Sequence, residues 1–159
     1  MWFIFIILST LAAIVHARLT PPITRERLAE LCLVYLLAGI CGILQIAFGF
    51  ATLFAGDRVA AHMHVPPGNP GQVWMAFLIM GMGATGTLAI WLRGSYLIAP
   101  AISWAIFFAG ATYAHVNADA LAGHPPTVTS LSVIFLTHTL TALLLPYFLW
   151  ASRTGRARL

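Results

Sequence analysis

Histidine is the residue type in this 159-residue sequence best suited to chemistry, because a neutral imidazole binds metal ions and exchanges protons near neutral pH. Four of the six histidines fall in or beside two polar segments, and an aspartate accompanies them. These predicted metal ligands are His62, His64, His115, His124 and Asp119. Methionine with histidine suits copper, and a carboxylate with histidine suits zinc or iron. The predicted cofactor is therefore a transition metal or a haem.

His115 is the strongest single candidate in this set. It ends an apolar segment, where a buried helix would meet the membrane interface, and Asp119 follows at the i+4 spacing of a helix. None of the histidine spacings forms a recognised metal motif. The alternative that the loop histidines are ordinary solvated polar residues therefore stays open.

His138 is a different case, because it lies near the middle of an apolar stretch long enough to cross a membrane. Thr137 and Thr141 share one helical face beside it, and Gln45 is a strongly polar side chain deep in another stretch. We predict that these four residues bind a ligand, through a proton relay, a hydrogen bond to a quinone or ligation of haem. The alternative is a neutral histidine that bonds a carbonyl, a threonine or Gln45 on a neighbouring helix.

The composition excludes a water-soluble domain. Hydrophobic residues make up 60% of the chain and charged residues only 8%, against roughly 25% charged in soluble domains. The net charge is +4 and every basic residue is arginine, dispersed over short loops and the tail. That pattern fits membrane topology and not a nucleic-acid surface. The predicted partner is the lipid bilayer.

The apolar stretches predict one all-α membrane domain over residues 1–159, a bundle of five transmembrane helices. The predicted spans are 2–17, 28–55, 73–92, 96–115 and 128–150. Thr24 caps the second helix, with Glu26 in its first turn. Seven arginines then fall on one side and only Arg58 on the other. The positive-inside rule gives an N-out, C-in orientation.

Two small-residue features call for structural explanations. Residues 81–86 match a bare GxGxxG, but they lie inside an apolar span with no preceding strand, so dinucleotide binding is not expected. Close approach of helices explains them better, as it does the Ala38 and Gly42 spacing. Cys32 and Cys41 would lie on opposite faces of one helix, which excludes a disulfide between them and predicts two small buried side chains.

The chain resembles an uncharacterised bacterial family of five-helix inner-membrane proteins, a domain of unknown function similar to DoxX-like proteins. The shared features are the order of helices and loops, Arg93-Gly94 followed by the aromatic Tyr96, and the stretch 110–115 that ends in His115. Relatives typically have Gly-Ala-x-x-Gly-His at that stretch. The resemblance spans nearly the whole chain and implies the fold and topology, but no reaction.

The resemblance also implies a departure in the third helix. Relatives carry a Glu and an Asn where this sequence has Trp74 and Ile79. Any function of those two groups is then lost or relocated in this chain. Trp74 occupies the position of the Glu in relatives, and we add it to the predicted ligand-binding residues.

Three functions follow as hypotheses. The first is a small membrane protein that binds a small molecule, metal or redox cofactor near its outer face. The second is a non-catalytic subunit or scaffold that packs on partner helices or forms a homo-oligomer, as the small-residue stripes suggest. The third, a quinone- or lipid-handling enzyme, would use His138, but no nucleophile with an adjacent base is visible.

Overall fold

The computed structural model describes residues 2–63, 67–121 and 127–154, with side chains for all of these except 2, 3, 62, 63, 118–121, 129 and 130. Every regular element in these ranges is helical. The α-helices are α1 Trp2–Leu19, α2 Arg25–Ala38, α3 Leu44–Phe54, α4 Gly56–Met63, α5 Pro70–Leu88, α6 Ile98–Leu121, α7 Val128–Ile134 and α8 Leu140–Ala151. The all-α fold class is therefore confirmed.

Three short segments of other helix types connect these α-helices. A 3₁₀ turn, Gly94–Leu97, leads into α6. A first π turn, Gly39–Ile43, joins α2 to α3, and a second π turn, Phe135–Thr139, joins α7 to α8. Leu44 N–H donates to the carbonyl five residues back in the first, as Leu140 N–H does in the second. Both long helices therefore run without a break through a local widening of the helix.

Three helical segments of the described chain are long and apolar enough to cross a membrane, not the five predicted. They are Arg25–Phe54, Gly94–Asn117 and Leu131–Ala151. The first predicted span corresponds to a shorter apolar helix, Ile4–Leu19, whereas a span of about 30 Å needs about 20 residues. The third corresponds to α5, which starts with Pro-Gly-Gln and contains further glycines and two threonines, which lower its mean hydropathy.

Two predicted boundaries also change. The segment 56–72 is not entirely loop, because α4 forms with Val59 and Ala60 buried on one face and Asp57 and Arg58 exposed. The fourth helix does not end at His115, since α6 continues to Leu121 through a stretch rich in alanine, the best helix former. The Thr24 cap is confirmed: its Oγ1 accepts the Arg27 N–H at 3.2 Å.

The continuous helix from α2 to α3 lies at the centre of the packing. α1 and α8 pack on α2, α5 packs on α3 and the first π turn, and α6 packs on α8. The side chains of one apolar core lie between them, and its largest fully buried members are Leu33, Leu36, Leu37, Ile40, Trp104 and Phe108. Trp104 Nε1 donates to the Met82 carbonyl at 3.2 Å, which ties α6 to α5. Cys32 and Cys41 are both buried in this packing, as expected.

Glycines permit the close contact between α5 and the central helix. A Cβ added at Gly86 would lie 2.7 Å from the Leu37 carbonyl oxygen, and one at Gly83 would lie 2.8 Å from Ile46 Cγ1. A Cβ at Gly42 would in turn lie 2.8 Å from the Thr87 backbone nitrogen. The prediction that the glycine-rich stretch 81–86 permits close approach of helices is thus confirmed at Gly83 and Gly86.

Candidate functional site

Two histidines from different predicted sites meet between α6 and the second π turn. The ring centroids of His115 and His138 lie 5.1 Å apart, with an angle of 50° between the ring planes. His115 is exposed and His138 is half-buried. The structure therefore joins the strongest predicted metal ligand to the predicted intramembrane ligand-binding histidine. We call these two residues the histidine pair.

A hydrogen bond with Thr137 orients the imidazole ring of His138. Thr137 Oγ1 donates to the Val133 carbonyl at 2.7 Å, and it lies 2.7 Å from His138 Nδ1. Because the hydroxyl has one proton, which goes to Val133, we assign the proton of the second contact to Nδ1. The neutral ring is then the tautomer that carries its lone pair on Nε2, which is a donor atom for a metal or an acceptor for a ligand.

A threonine bridge holds α6 and the second π turn together one turn from His115. Thr112 Oγ1 donates to the Phe108 carbonyl at 2.9 Å and lies 3.3 Å from Thr139 Oγ1, which therefore acts as the donor. Phe108 also contacts the His138 ring, and the two ring centroids lie 5.9 Å apart. The two helices that carry the histidines are thus linked by a polar bridge and an aromatic contact at the same level.

The remaining predicted ligand-binding residues lie in different surroundings. Thr141 is fully buried, and its hydroxyl donates to the Thr137 carbonyl at 3.0 Å. Gln45 is also buried, and its Nε2 has no hydrogen-bond partner in the described chain. This amide nitrogen therefore does not form the contact with His138 that the alternative interpretation of His138 allowed. Trp74 is 79% exposed on α5, so its side chain points away from the core.

The other members of the predicted metal set cannot be compared with the histidine pair. His64 and His124, and the side chains of His62 and Asp119, lie outside the described residues. Within the described part of the chain, no group of three or more His, Cys, Asp or Glu side chains is arranged to hold a metal ion. The pair thus offers two protein ligands and no third from this part of the chain.

A second polar region, which the sequence patterns did not predict, lies at the opposite end of α6 from the histidine pair. His16 Nδ1 lies 3.0 Å from the Tyr35 hydroxyl, and the rings meet edge to face. Beside them is a cavity of about 460 Å³ whose lining includes Glu26 and Glu30. The i+4 spacing of the two glutamates on α2 was the signal that could have revealed it.

Comparison with family models assigns the chain to a family of unknown function, DUF6790, whose model matches residues 1–158. The chain therefore belongs to this family, which the predicted resemblance to a domain of unknown function anticipated. Comparisons with curated proteins and with solved structures give no significant match. The DoxX likeness, the bacterial origin and the five helices attached to the resemblance stay predictions.

Proposed function

We propose that this member of the family is a small multi-pass membrane protein that binds a tetrahedral transition-metal ion, such as Zn²⁺ or Cu⁺, through His115 and His138. The observation that carries the proposal is the separation of the two imidazole rings, whose centroids are 5.1 Å apart on neighbouring helices. Small-molecule and redox-cofactor binding at the same pair are the broader alternatives. The site would lie near the outer face.

Ligand geometry favours a tetrahedral ion. A zinc–imidazole bond is about 2.0 to 2.1 Å and the ring centroid lies about 1.1 Å further, so two ligands at a tetrahedral angle have centroids about 5.1 Å apart. Two ligands on opposite sides of a haem iron would have centroids about 6.3 Å apart by the same arithmetic. The observed centroid separation of 5.1 Å is compatible with the first value and too short for the second, which is why we propose a tetrahedral ion instead of a haem held between the two rings.

The surroundings of the pair also suit a metal. A metal-bound histidine usually donates its other ring N–H to an oxygen, which fixes the ring and strengthens the ligand. Thr137 Oγ1 serves as that oxygen for His138. His115 is exposed, so an ion can reach the pair from the surface. With two protein ligands, water or a bound small molecule would complete the coordination and keep the site open to exchange.

The topology proposed with this function is a multi-pass helical bundle in a bacterial inner membrane, N-out and C-in. The cavity beside His16 supports it, because residues from the end of α1, the start of α2, the turn before α6 and the end of α8 line that one space. Arg153 Nη2 also donates to the Gly94 carbonyl at 3.2 Å. Four chain segments that each carry at least one arginine therefore meet at one end, as the positive-inside rule requires of a cytoplasmic end.

Metal titration of the purified full-length protein tests the binding proposal. After treatment with a chelator, the protein in detergent is titrated with Co²⁺, whose visible spectrum reports tetrahedral coordination, and then with competing Zn²⁺. We expect one ion per chain, and His115→Ala and His138→Ala should each weaken binding by about tenfold or more. His16→Ala, a histidine substitution at the other end of the bundle, is the matched control and should leave binding unchanged. Equal affinity in all four proteins would refute the site.

A groove between α5 and α6 favours a second candidate function, the non-catalytic subunit or scaffold. It has a volume of about 490 Å³ and is lined mainly by apolar side chains that include Phe77, Leu78 and Met82. Gly81 faces it, and a Cβ there would meet nothing within 4 Å, so a partner helix could approach closely. Cross-linking in native membranes tests this function, and a chain that remains monomeric and without partners would exclude it.

A further inference from the structure

The cavity at the arginine-rich end of the bundle has the composition of a binding site. Its volume of about 460 Å³ lies within the range of about 300 to 1,000 Å³ usual for small-ligand pockets. Polar and charged side chains from α1, α2, the turn before α6 and the end of α8 line it, among them His16, Glu26, Arg27, Glu30, Arg93 and Ser152. We call it the charged cavity. It lies at the opposite end of α6 from the histidine pair, and neither site depends on the other.

Groups of both charges face this space from different elements. Glu26 and Glu30 are one helical turn apart on α2, which places their Cβ atoms about 5 to 6 Å from each other on one face. Arg93 reaches the cavity from the turn before α6. Arg27 also lines it, but its Nη1 donates to the Pro22 carbonyl at 3.3 Å, which holds that side chain against the neighbouring turn. The two carboxylates and the two guanidinium groups balance in charge.

Neutral hydrogen-bonding groups restrict what the cavity can accept. His16 is oriented by its 3.0 Å contact with Tyr35, which uses one of its two ring nitrogens. Ser152 is buried and donates its hydroxyl proton to the Leu149 carbonyl at 2.8 Å, so it offers only a lone pair to a ligand. A ligand donor such as an ammonium group would therefore be satisfied by this serine as well as by the glutamates.

The charge pattern selects against the simplest ligands. Glu26 and Glu30 would repel a lone anion, and Arg93 would repel a lone amine. These carboxylates and the nearby histidine are also not arranged as a metal site in the described chain. A ligand with a primary ammonium group at one end and a phosphate at the other complements both sides. Its ammonium group would donate to the glutamates, and its phosphate would pair with the Arg93 guanidinium, whose fork matches phosphate oxygens.

We propose that the charged cavity binds a phosphoethanolamine group, with the ammonium held by Glu26 and Glu30 and the phosphate held by Arg93. The group could belong to a phospholipid of the surrounding bilayer or to a free molecule. The chemistry of recognition is the same for both sources.

Binding measurements on the purified full-length protein test this proposal with two probes. Free phosphoethanolamine is titrated by calorimetry into protein in detergent. In parallel, the protein is placed in nanodiscs of phosphatidylcholine with and without phosphatidylethanolamine, and retained lipid is identified by native mass spectrometry. Binding in the calorimetric experiment identifies a free ligand, whereas selective retention in the nanodisc alone identifies a lipid headgroup. Absence of both overturns the proposal.

Variants identify the groups responsible. Glu30→Gln and Arg93→Gln should each weaken binding of the successful probe by about tenfold, since each removes a charge-assisted hydrogen bond. Arg58→Gln, which removes an arginine that faces a different cavity, should leave binding unchanged. Phosphocholine should bind about tenfold less tightly than phosphoethanolamine, because its trimethylammonium has no N–H donor. Equal binding of the two headgroups, or unchanged binding in both cavity variants, would overturn the assignment.

Discussion

Adding one methyl group at Gly86 should separate α5 from the central helix. A Cβ there would lie 2.7 Å from the Leu37 carbonyl oxygen and 3.1 Å from two backbone atoms of Cys41. These are main-chain atoms in a helix and cannot move aside as a side chain would. Overpacking of this kind costs about 1 to 3 kcal/mol. Alanine also favours a helix over glycine by about 1 kcal/mol, so the expected net loss for Gly86→Ala is up to about 2 kcal/mol.

Gly81 is the matched control on the same helix. A Cβ at Gly81 meets nothing within 4 Å, so Gly81→Ala adds the same methyl group and the same helix preference without a clash. Its free energy of unfolding should stay unchanged or rise by up to about 1 kcal/mol. Gly83→Ala should fall between the two, because its nearest obstacle, at 2.8 Å, is the side-chain atom Ile46 Cγ1.

Reversible unfolding in mixed micelles, followed by circular dichroism and tryptophan fluorescence, measures all three variants against the unaltered chain. The expected order of stability is Gly81→Ala, then Gly83→Ala, then Gly86→Ala. Equal effects at Gly81 and Gly86 would refute the close helix contact, since the two substitutions differ only in what surrounds the added methyl group.

Three further predictions concern individual polar groups and use the same unfolding measurement. Tyr35→Phe should lower the free energy of unfolding by about 0.5 to 1.5 kcal/mol through loss of the His16 hydrogen bond, whereas the exposed Tyr113→Phe should change it little. Thr24→Ala should cost about 1 kcal/mol and Thr24→Ser should restore most of it, because Thr24 caps α2; failure of serine to rescue would contradict the cap. Gln45→Met should raise stability by about 1 kcal/mol, since it removes a buried amide nitrogen that has no partner among the described residues. A loss of stability in that variant would indicate that the amide is satisfied.

Sequence reasoning succeeded where one segment determines the outcome by itself. Long apolar stretches predicted helices, and Thr24 beside two prolines predicted where one begins. It also attributed the glycine-rich stretch 81–86 to close helix packing, although only a structure could separate Gly86, which is in contact, from Gly81, which is open. Composition determines whether a helix forms, but not which of its faces meets a neighbour.

The pairing of His115 with His138 could not be predicted for the same reason. The two residues lie on separate helices, and the spacing along the chain fixes neither the register of those helices nor their rotation. The second π turn adds a further displacement that no hydropathy pattern reveals. The charged cavity was not predicted for another reason: Glu30 falls inside a predicted span, and His16, Arg93 and Ser152 reach the same space from three other segments of the chain.

The first π turn has a consequence for how the length of this chain can vary in evolution. A π turn holds one more residue than an α turn, so deleting one residue between Gly39 and Ile43 would leave a continuous apolar helix of nearly unchanged hydropathy. The Leu44 N–H would then bond the Gly39 carbonyl four residues back instead of five, so the residues after the deletion would keep nearly their present rotation relative to α2. The glycine face of α3 would still meet α5. A deletion in the regular α-helical part of α2 would instead rotate every later residue by about 100°. We therefore expect the central helix to tolerate a change of one residue at this turn and nowhere else along its length.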